Sequence, residues 1–142
     1  MQIALVPRNN IDEILSEVGP ILIRATDLSG GRWSLPDVLD QIDTGQQQLW
    51  IAFDDERIWA ACTTRFSHYA KMKMLEGCFV AGDKLDTWCA PLLEVLDRWA
   101  ADNDCAGIEF TGRMGWEKVL KPYGFRRAYI VLEKRYEGGQ GQ

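Results

Sequence analysis

The chain has 142 residues and a mass of 16.2 kDa, the size of one ordinary domain. Apolar residues make up 46% and charged residues 26% of it, a balance that excludes a wholly disordered chain. The formal net charge is −5, which disfavours a general nucleic-acid binder because phosphate contacts need a cationic surface.

The cysteines and the N-terminus indicate the class of protein. Cys62, Cys78, Cys89 and Cys105 lack the close spacing of zinc ligands, and His68 is the single histidine, so no metal site is expected. The first residues show no basic start followed by a long apolar run, so we expect no signal peptide. No apolar run has the roughly 18 residues of a membrane span. These features predict a cytoplasmic protein with reduced thiols.

The first elements are predicted to be a strand and a helix. The apolar run Gln2–Val6, which a proline stops, predicts the strand. Asn9 or Asn10 is expected to cap the helix, because an Asn side chain accepts hydrogen bonds from the free amides of a first turn. The apolar residues recur at helical spacing, and Gly19-Pro20 is expected to interrupt or kink the helix near its middle.

A second helix and three strands follow. Ser34 and Asp37 have the spacing of a capping box, which predicts a helix that starts at Ser34. The β-rich runs Gln48–Phe53 and Arg57–Phe66 surround a short acidic turn and predict a hairpin. The partly alternating run Lys71–Val80 predicts a third long strand.

The strongest helical pattern of the chain lies in its second half. Asp86 or Thr87 is expected to cap this helix, and Pro91 is tolerable there only if it falls in the first turn. The run Gly107–Thr111 then predicts a short buried strand.

The C-terminal quarter is predicted to add a short helix, closed by Gly124, and a final strand over Phe125–Tyr136. The element order β, α, α, β, β, β, α, β, α, β predicts an α/β fold with a mixed sheet of six to seven strands and about four helices on its two faces. We expect a single domain over residues 1–136 and a flexible tail over residues 137–142.

This order resembles the fold of the Gcn5-related N-acetyltransferases over nearly the whole chain. Two stretches carry the resemblance. Cys78–Ala81 leading to Leu92–Leu96 is similar to the family's fourth strand and the helix after it. Gly112–Phe125 is similar to the family's last helix, which ends in a Gly-Phe pair that opens the next strand.

The resemblance implies acetyl-CoA as cofactor, lying between the fourth and fifth strands with its pyrophosphate on the amides of a glycine-rich loop. That loop is degenerate here. Lys84 takes the position of the usual arginine, and Leu85, Thr87 and Cys89 fall where glycines are usual. The implied cofactor-binding residues are Phe79, Val80, Ala81, Lys84, Thr87 and Arg113.

The resemblance also implies the catalytic residue. Many members use a Glu of the fourth strand as general base, and Glu76 takes that place. Strand alternation alone leaves open that Glu76 is a charge on a solvent face. The family's tyrosine acid corresponds to Leu120, and the Asn that often begins the last helix corresponds to Arg113.

Two functions follow from this resemblance. The first is transfer of an acetyl group from acetyl-CoA to an amine of a small molecule or a protein. The alternative is a non-catalytic protein that keeps the fold as a binding or structural module, as degenerate domains of this kind do among virion and accessory proteins of tailed phages. Fold alone does not establish activity. The second function would place the protein in a virion instead of the cytoplasm.

The charge is unevenly spread along the chain. Residues 1–111 hold 9 basic and 18 acidic side chains, whereas residues 112–142 hold 7 basic and 3 acidic ones. Three explanations of the basic quarter remain open: cations that offset cofactor phosphates, a solvated helix face, or a surface that docks on an acidic protein such as a second copy.

Overall fold

The computed structural model describes residues 1–137 and divides the chain into two compact units. The first unit is Met1–Thr111, and the second begins at Gly112. The single domain over residues 1–136 stays a prediction. Of the predicted flexible tail, residues 138–142 lie outside the described residues.

The first unit holds one five-stranded mixed sheet, in the order β1-β2-β3-β4-β5. The strands are β1 (Gln2–Val6), β2 (Gln48–Phe53), β3 (Ile58–His68), β4 (Lys73–Gly82) and β5 (Gly107–Phe110). The first three pairings are antiparallel, and β4 with β5 is parallel. The α/β class and the mixed sheet are confirmed.

The predicted count of six to seven strands was too high by at least one strand. Residues 125–136 were expected to form a final strand, but they form no helix or strand. A strand needs a neighbour for its backbone N–H and C=O groups. The described part of the second unit contains no strand that could supply one.

Helices cover both faces of the sheet in the first unit. They are α1 (Ile11–Thr26), α2 (Leu35–Asp43) and α3 (Leu85–Asp102). Residues of α1 and α2 share one core cluster with Leu49 and Ala61 of the sheet. Trp50 points to the opposite face, where its ring lies edge-on to Trp99 of α3 at 5.5 Å between centroids. Because successive side chains of a strand point to opposite faces, the sheet contributes residues to two hydrophobic layers, one on each face.

The capping box at α2 is confirmed. At α1, Asn10 has the predicted cap position but not the predicted hydrogen bond, the helix is not interrupted, and a kink at Gly19-Pro20 stays a prediction. The Asp37 carboxylate accepts hydrogen bonds from the N–H and the hydroxyl of Ser34, at 2.9 and 2.7 Å. Asn10 precedes α1 without a side-chain cap, and α1 runs through Pro20 to Thr26 without interruption. The buried face of α1 continues on both sides of Pro20, so its burial outweighs the lost backbone hydrogen bond.

The predicted start of α3 was also wrong. The residue before the helix is Lys84, in the left-handed conformation with φ 62°, so neither Asp86 nor Thr87 is the cap. Pro91 lies beyond the first turn, where we expected it to be intolerable. The buried residues Trp88 and Leu92 flank it, and their packing stabilises the helix across this point.

The second unit contains α4 (Met114–Leu120), followed by a 3₁₀ turn at Lys121–Tyr123. The predicted short helix and its closure are confirmed, because Gly124 has φ 89° directly after this turn. An ion pair between Arg127 and Glu117, at 2.6 Å, joins the segment after Gly124 to α4. Among residues 1–137, no helix combines the length and hydrophobicity needed to cross a bilayer.

The pairing of β4 with β5 ends abruptly at Gly77 and Phe110. A Cβ placed on Gly77 would overlap the Phe110 ring, so only glycine fits there without movement. In the pairing with β3, Thr64 faces Gly77 and Thr63 faces Phe79, which leaves Cys78 as an extra residue. Such a β-bulge bends a strand and increases its twist. We infer that the bulge turns β4 away from β5.

Replacement of Gly77 by Ala tests this packing. We expect Gly77→Ala to lower the free energy of unfolding by about 1–3 kcal/mol, because the new methyl group displaces the Phe110 ring. Thermal or urea unfolding measures the change. Gly115→Ala in α4 is the matched control, because a Cβ at Gly115 has nothing within 4 Å. Equal stability of the two variants would contradict the role of the Gly77–Phe110 contact.

Candidate active site

The second half of β4 has an open edge beside the end of β5. Beyond Gly77 and the unpaired Cys78, β4 continues through residues 79–82, which pair with β3 but with nothing on the β5 side within the described chain. Phe79, Val80 and Ala81, predicted to bind cofactor, lie together on this edge. Free backbone N–H and C=O groups on a strand edge can hydrogen bond to an extended ligand that contains amides.

Phe79, on this edge, lies on the face of the sheet that packs against α1 and α2. Its ring lies edge-on to Trp33 in the loop between those helices, at 5.8 Å between centroids. The backbone N–H of Trp33 is in turn fixed by the hydroxyl of Ser29 at 3.0 Å. The loop between α1 and α2 is thus fastened to the open edge of β4 by an aromatic contact.

Glu76 lies just before the opening, and its side chain is only 13% exposed. Oε1 accepts two hydrogen bonds, from Arg65 Nε at 2.9 Å and from the Ser67 hydroxyl at 2.8 Å. Within the described residues no donor is bound to Oε2. The carboxylate is therefore held in one orientation with one oxygen still able to take a proton.

A second carboxylate lies beside Glu76. Glu109 of β5 is the parallel register partner of Glu76, and the hydroxyl of Tyr69 donates a hydrogen bond to it. With the guanidinium of Arg65, this group of side chains carries one net negative charge. It would favour a positively charged group over an anion.

The thiol of Cys78, next to this site, is not a nucleophile at neutral pH. Burial, with a smaller contribution from the charge of Glu76, raises the pKa of Cys78 to about 12. Burial also raises the pKa of Cys62 on β3. A thiol reacts through its ionised form, so we expect both cysteines to react poorly at neutral pH.

The turn from β4 into α3 is fixed by hydrogen bonds around Lys84. The hydroxyl and the backbone N–H of Thr87 both donate to the Lys84 carbonyl oxygen, at 2.6 and 2.9 Å. The indole N–H of the buried Trp88 donates to the Asp83 carbonyl oxygen at 2.8 Å. The first amides of α3 follow this turn, and such amides attract anions.

Two arginines that the sequence did not single out also reach this turn. Arg24 of α1 contacts the Gly82 carbonyl oxygen at 3.5 Å and the Asp83 carboxylate at 3.3 Å. Arg57 precedes β3, and its guanidinium lies 4.6 Å from the centre of the Trp59 ring. The sheet topology brings these two residues, which are distant in sequence, near Lys84. No local motif around Arg24 or Arg57 predicts this.

Arg113 belongs to the second unit, where it is exposed and precedes α4. Its role in cofactor binding stays a prediction, as do the roles of the residues on β4 and α3. In residues 1–137, no three His, Cys, Asp or Glu side chains come together in a group that could hold a metal ion.

Alkylation tests the thiol environment. At pH 8, a thiol with a pKa of about 12 is ionised in about one molecule in ten thousand. We therefore expect iodoacetamide to leave Cys78 and Cys62 unmodified in the native protein and to modify both in urea, as mass spectrometry of peptides would show. Equal labelling of Cys78 in the native and unfolded states would contradict its burial.

Comparisons with known proteins bear on the fold. No protein-family model matches the chain, and no curated protein matches it significantly. Among solved structures, a probable acetyltransferase has a TM-score of 0.73 at 13% identity, over 96% of this chain and 100% of its own. A ribosomal-protein-alanine N-acetyltransferase from Brucella melitensis biovar Abortus 2308 has a TM-score of 0.70 at 9% identity, over 96% and 100%.

A third solved structure was determined with a ligand. It is a predicted acetyltransferase with acetyl-CoA from Clostridium acetobutylicum, with a TM-score of 0.67 at 14% identity, over 94% of this chain and 95% of its own. Identities this low show the fold alone. On this basis, the chain has the fold of the Gcn5-related N-acetyltransferases.

Proposed function

We propose that the protein is an N-acetyltransferase that uses acetyl-CoA to acetylate an amine. One observation carries the proposal: the open edge of β4 begins next to a partly buried carboxylate that is held by two hydrogen bonds. Glu76 is one residue before Gly77, where the pairing with β5 ends. A reactive group at this opening would lie beside a fixed proton acceptor.

The residues present fit acetyl-CoA. The edge at Phe79, Val80 and Ala81 offers backbone groups to the amides of the pantetheine arm. Lys84 and Thr87 lie where α3 begins, and the ammonium of Lys84 can attract a phosphate there. When bound, acetyl-CoA supplies an acetyl thioester, whose acetyl group passes to the amine as a C–N bond forms, the C–S bond breaks and the thiol of coenzyme A leaves.

Glu76 then has a defined task. An amine is mostly an ammonium ion at neutral pH, and it must lose a proton before its nitrogen can attack. In the proposal, Oε2 of Glu76 takes that proton, directly or through a water molecule. Arg65 and Ser67 hold Oε1 and so fix the direction of Oε2. These two residues are positioning residues.

Binding of acetyl-CoA is the first test. A ligand present at a hundred times its Kd stabilises the folded state by about 2.7 kcal/mol, so we expect a clear rise in Tm. Titration calorimetry should give a matching Kd. No shift and no heat at millimolar acetyl-CoA would overturn the proposal and favour a non-catalytic protein.

Glu76→Gln tests the proposed base. We expect kcat for acetyl transfer to fall about 10²- to 10⁴-fold, because the amide cannot accept the proton. The Kd of acetyl-CoA should stay within about twofold, since Glu76 binds no part of the cofactor in this proposal. Release of free thiol measures the rate on a panel of primary amines.

Glu94→Gln is the matched control for this experiment. Glu94 lies on the outer face of α3 with its side chain 73% exposed and paired only with Arg98. Its replacement should leave both the rate and the affinity unchanged. A rate in Glu76→Gln as high as in Glu94→Gln would remove Glu76 from the mechanism.

A further inference from the structure

Three cationic side chains from three different elements lie around the turn between β4 and α3. Arg24 comes from the last turns of α1, Arg57 from the turn before β3, and Lys84 from the residue before α3. We call them the cation cluster. The ammonium of Lys84 and the guanidinium of Arg57 lie 3.8 and 4.6 Å from the centre of the same Trp59 ring.

A cavity confirms that two of these cations converge. Arg24 and Arg57 line one cavity of about 350 Å³ between α1 and the start of β3, together with Ser16 and Glu17. The Glu17 carboxylate in this cavity accepts a hydrogen bond from the backbone N–H of Ile58, at 3.4 Å. The cavity therefore brings two arginines and one glutamate to the same surface.

Within residues 1–137, the cation cluster forms no strong ion pair with a neighbouring carboxylate. Arg24 pairs with Asp83 at 3.3 Å, but the two side chains are 52% and 57% exposed. Exposed pairs of this kind contribute little to stability, so exchange of Asp83 for a better anion costs little. Lys84 also lies near Asp54, and the pKa of that carboxyl is lowered by the neighbouring Trp59 indole, by backbone N–H groups and, least, by the charge of Lys84. Asp54 in turn accepts hydrogen bonds from the N–H groups of its own turn.

The backbone at this turn is poorly suited to close contact with phosphate. Leu85, Thr87 and Cys89 carry side chains where a glycine-rich loop has none, and Cβ atoms keep an anion away from the amides. Thr87 uses its hydroxyl proton and its N–H on the Lys84 carbonyl oxygen. An anion kept away from the amides by Leu85, Thr87 and Cys89 would lie within reach of the long side chains of the cation cluster instead.

We propose that the phosphates of acetyl-CoA are held at this turn mainly by the side chains of Arg24, Arg57 and Lys84, in place of a glycine-rich backbone loop. The inference rests on the proposed function, since it concerns the same cofactor. Guanidinium groups bind phosphate with two parallel hydrogen bonds, which an ammonium or a single amide cannot provide. Binding through mobile cations also predicts a strong dependence on salt.

Titration calorimetry on the full chain tests the inference without any turnover. The probes are acetyl-CoA and adenosine 3′,5′-bisphosphate, which carries phosphate groups but no thioester. We expect Arg24→Gln and Arg57→Gln each to weaken both ligands about tenfold or more. Arg57→Lys should restore part of the loss. Added salt should weaken the wild type more than either variant.

Arg98→Gln is the matched control, because Arg98 lies on α3 with its side chain 68% exposed and pairs only with Glu94. It should change neither Kd. Lys84→Gly separates side-chain binding from backbone binding, since it removes a charge and places glycine at the positive φ of this position. Our inference predicts that Lys84→Gly binds both ligands more weakly than the wild type. Tighter binding would overturn it and indicate that backbone amides hold the phosphates.

The results distinguish the two proposals. If the wild type binds acetyl-CoA and the three cation variants bind it equally well, this inference fails and the proposed function stands. If the wild type binds no acetyl-CoA under any salt condition, the proposed function fails. Unfolding curves of the variants should match the wild type closely, because all three side chains are exposed.

Discussion

The separation of β4 from β5 is the constraint on which the site depends. The pairing of the two strands ends at Gly77 and Phe110, where the Phe110 ring packs against the glycine. Cys78, the next residue of β4, is one more than β3 can pair, and we infer that this bulge turns the strand away from β5. Within the described residues, backbone groups that a sheet normally satisfies then have no strand partner on the β5 side.

The same strand places the other parts of the proposed site in order. Glu76 lies before the opening, the free edge follows, and the turn with Lys84 comes at the end. At about 3.3 Å per residue, the carboxylate and the cation cluster are about 20 Å apart along β4. Acetyl-CoA has its reactive thioester at one end and its phosphates near the other, so one strand can address both ends of the cofactor.

Local signals in the sequence predicted much of the fold. The capping box of Ser34 and Asp37 and the hairpin strands follow from short-range patterns, and the structure confirms them. Pro20 and Pro91 misled the prediction, because local rules cannot weigh a lost hydrogen bond against a buried helix face. The ion pair that holds Glu76 depends on the register of β3 against β4, and the cation cluster depends on where α1 crosses the sheet. A local sequence pattern predicts neither the register of two strands nor the place where a helix crosses the sheet.

Lys84, directly before α3, adopts the left-handed conformation that glycine usually supplies. A left-handed residue other than glycine costs about 1 kcal/mol or more. Here the Thr87 hydroxyl donates to the Lys84 carbonyl oxygen, and the Trp88 indole N–H donates to the Asp83 carbonyl oxygen. These two hydrogen bonds offset the cost. The backbone therefore enters α3 through a left-handed residue that carries a charged side chain. In our proposal, a phosphate at this turn meets the ammonium of Lys84 and the neighbouring guanidinium groups instead of amide N–H groups. Those guanidinium groups come from parts of the chain that are distant in sequence, so the residues of the loop alone do not reveal them.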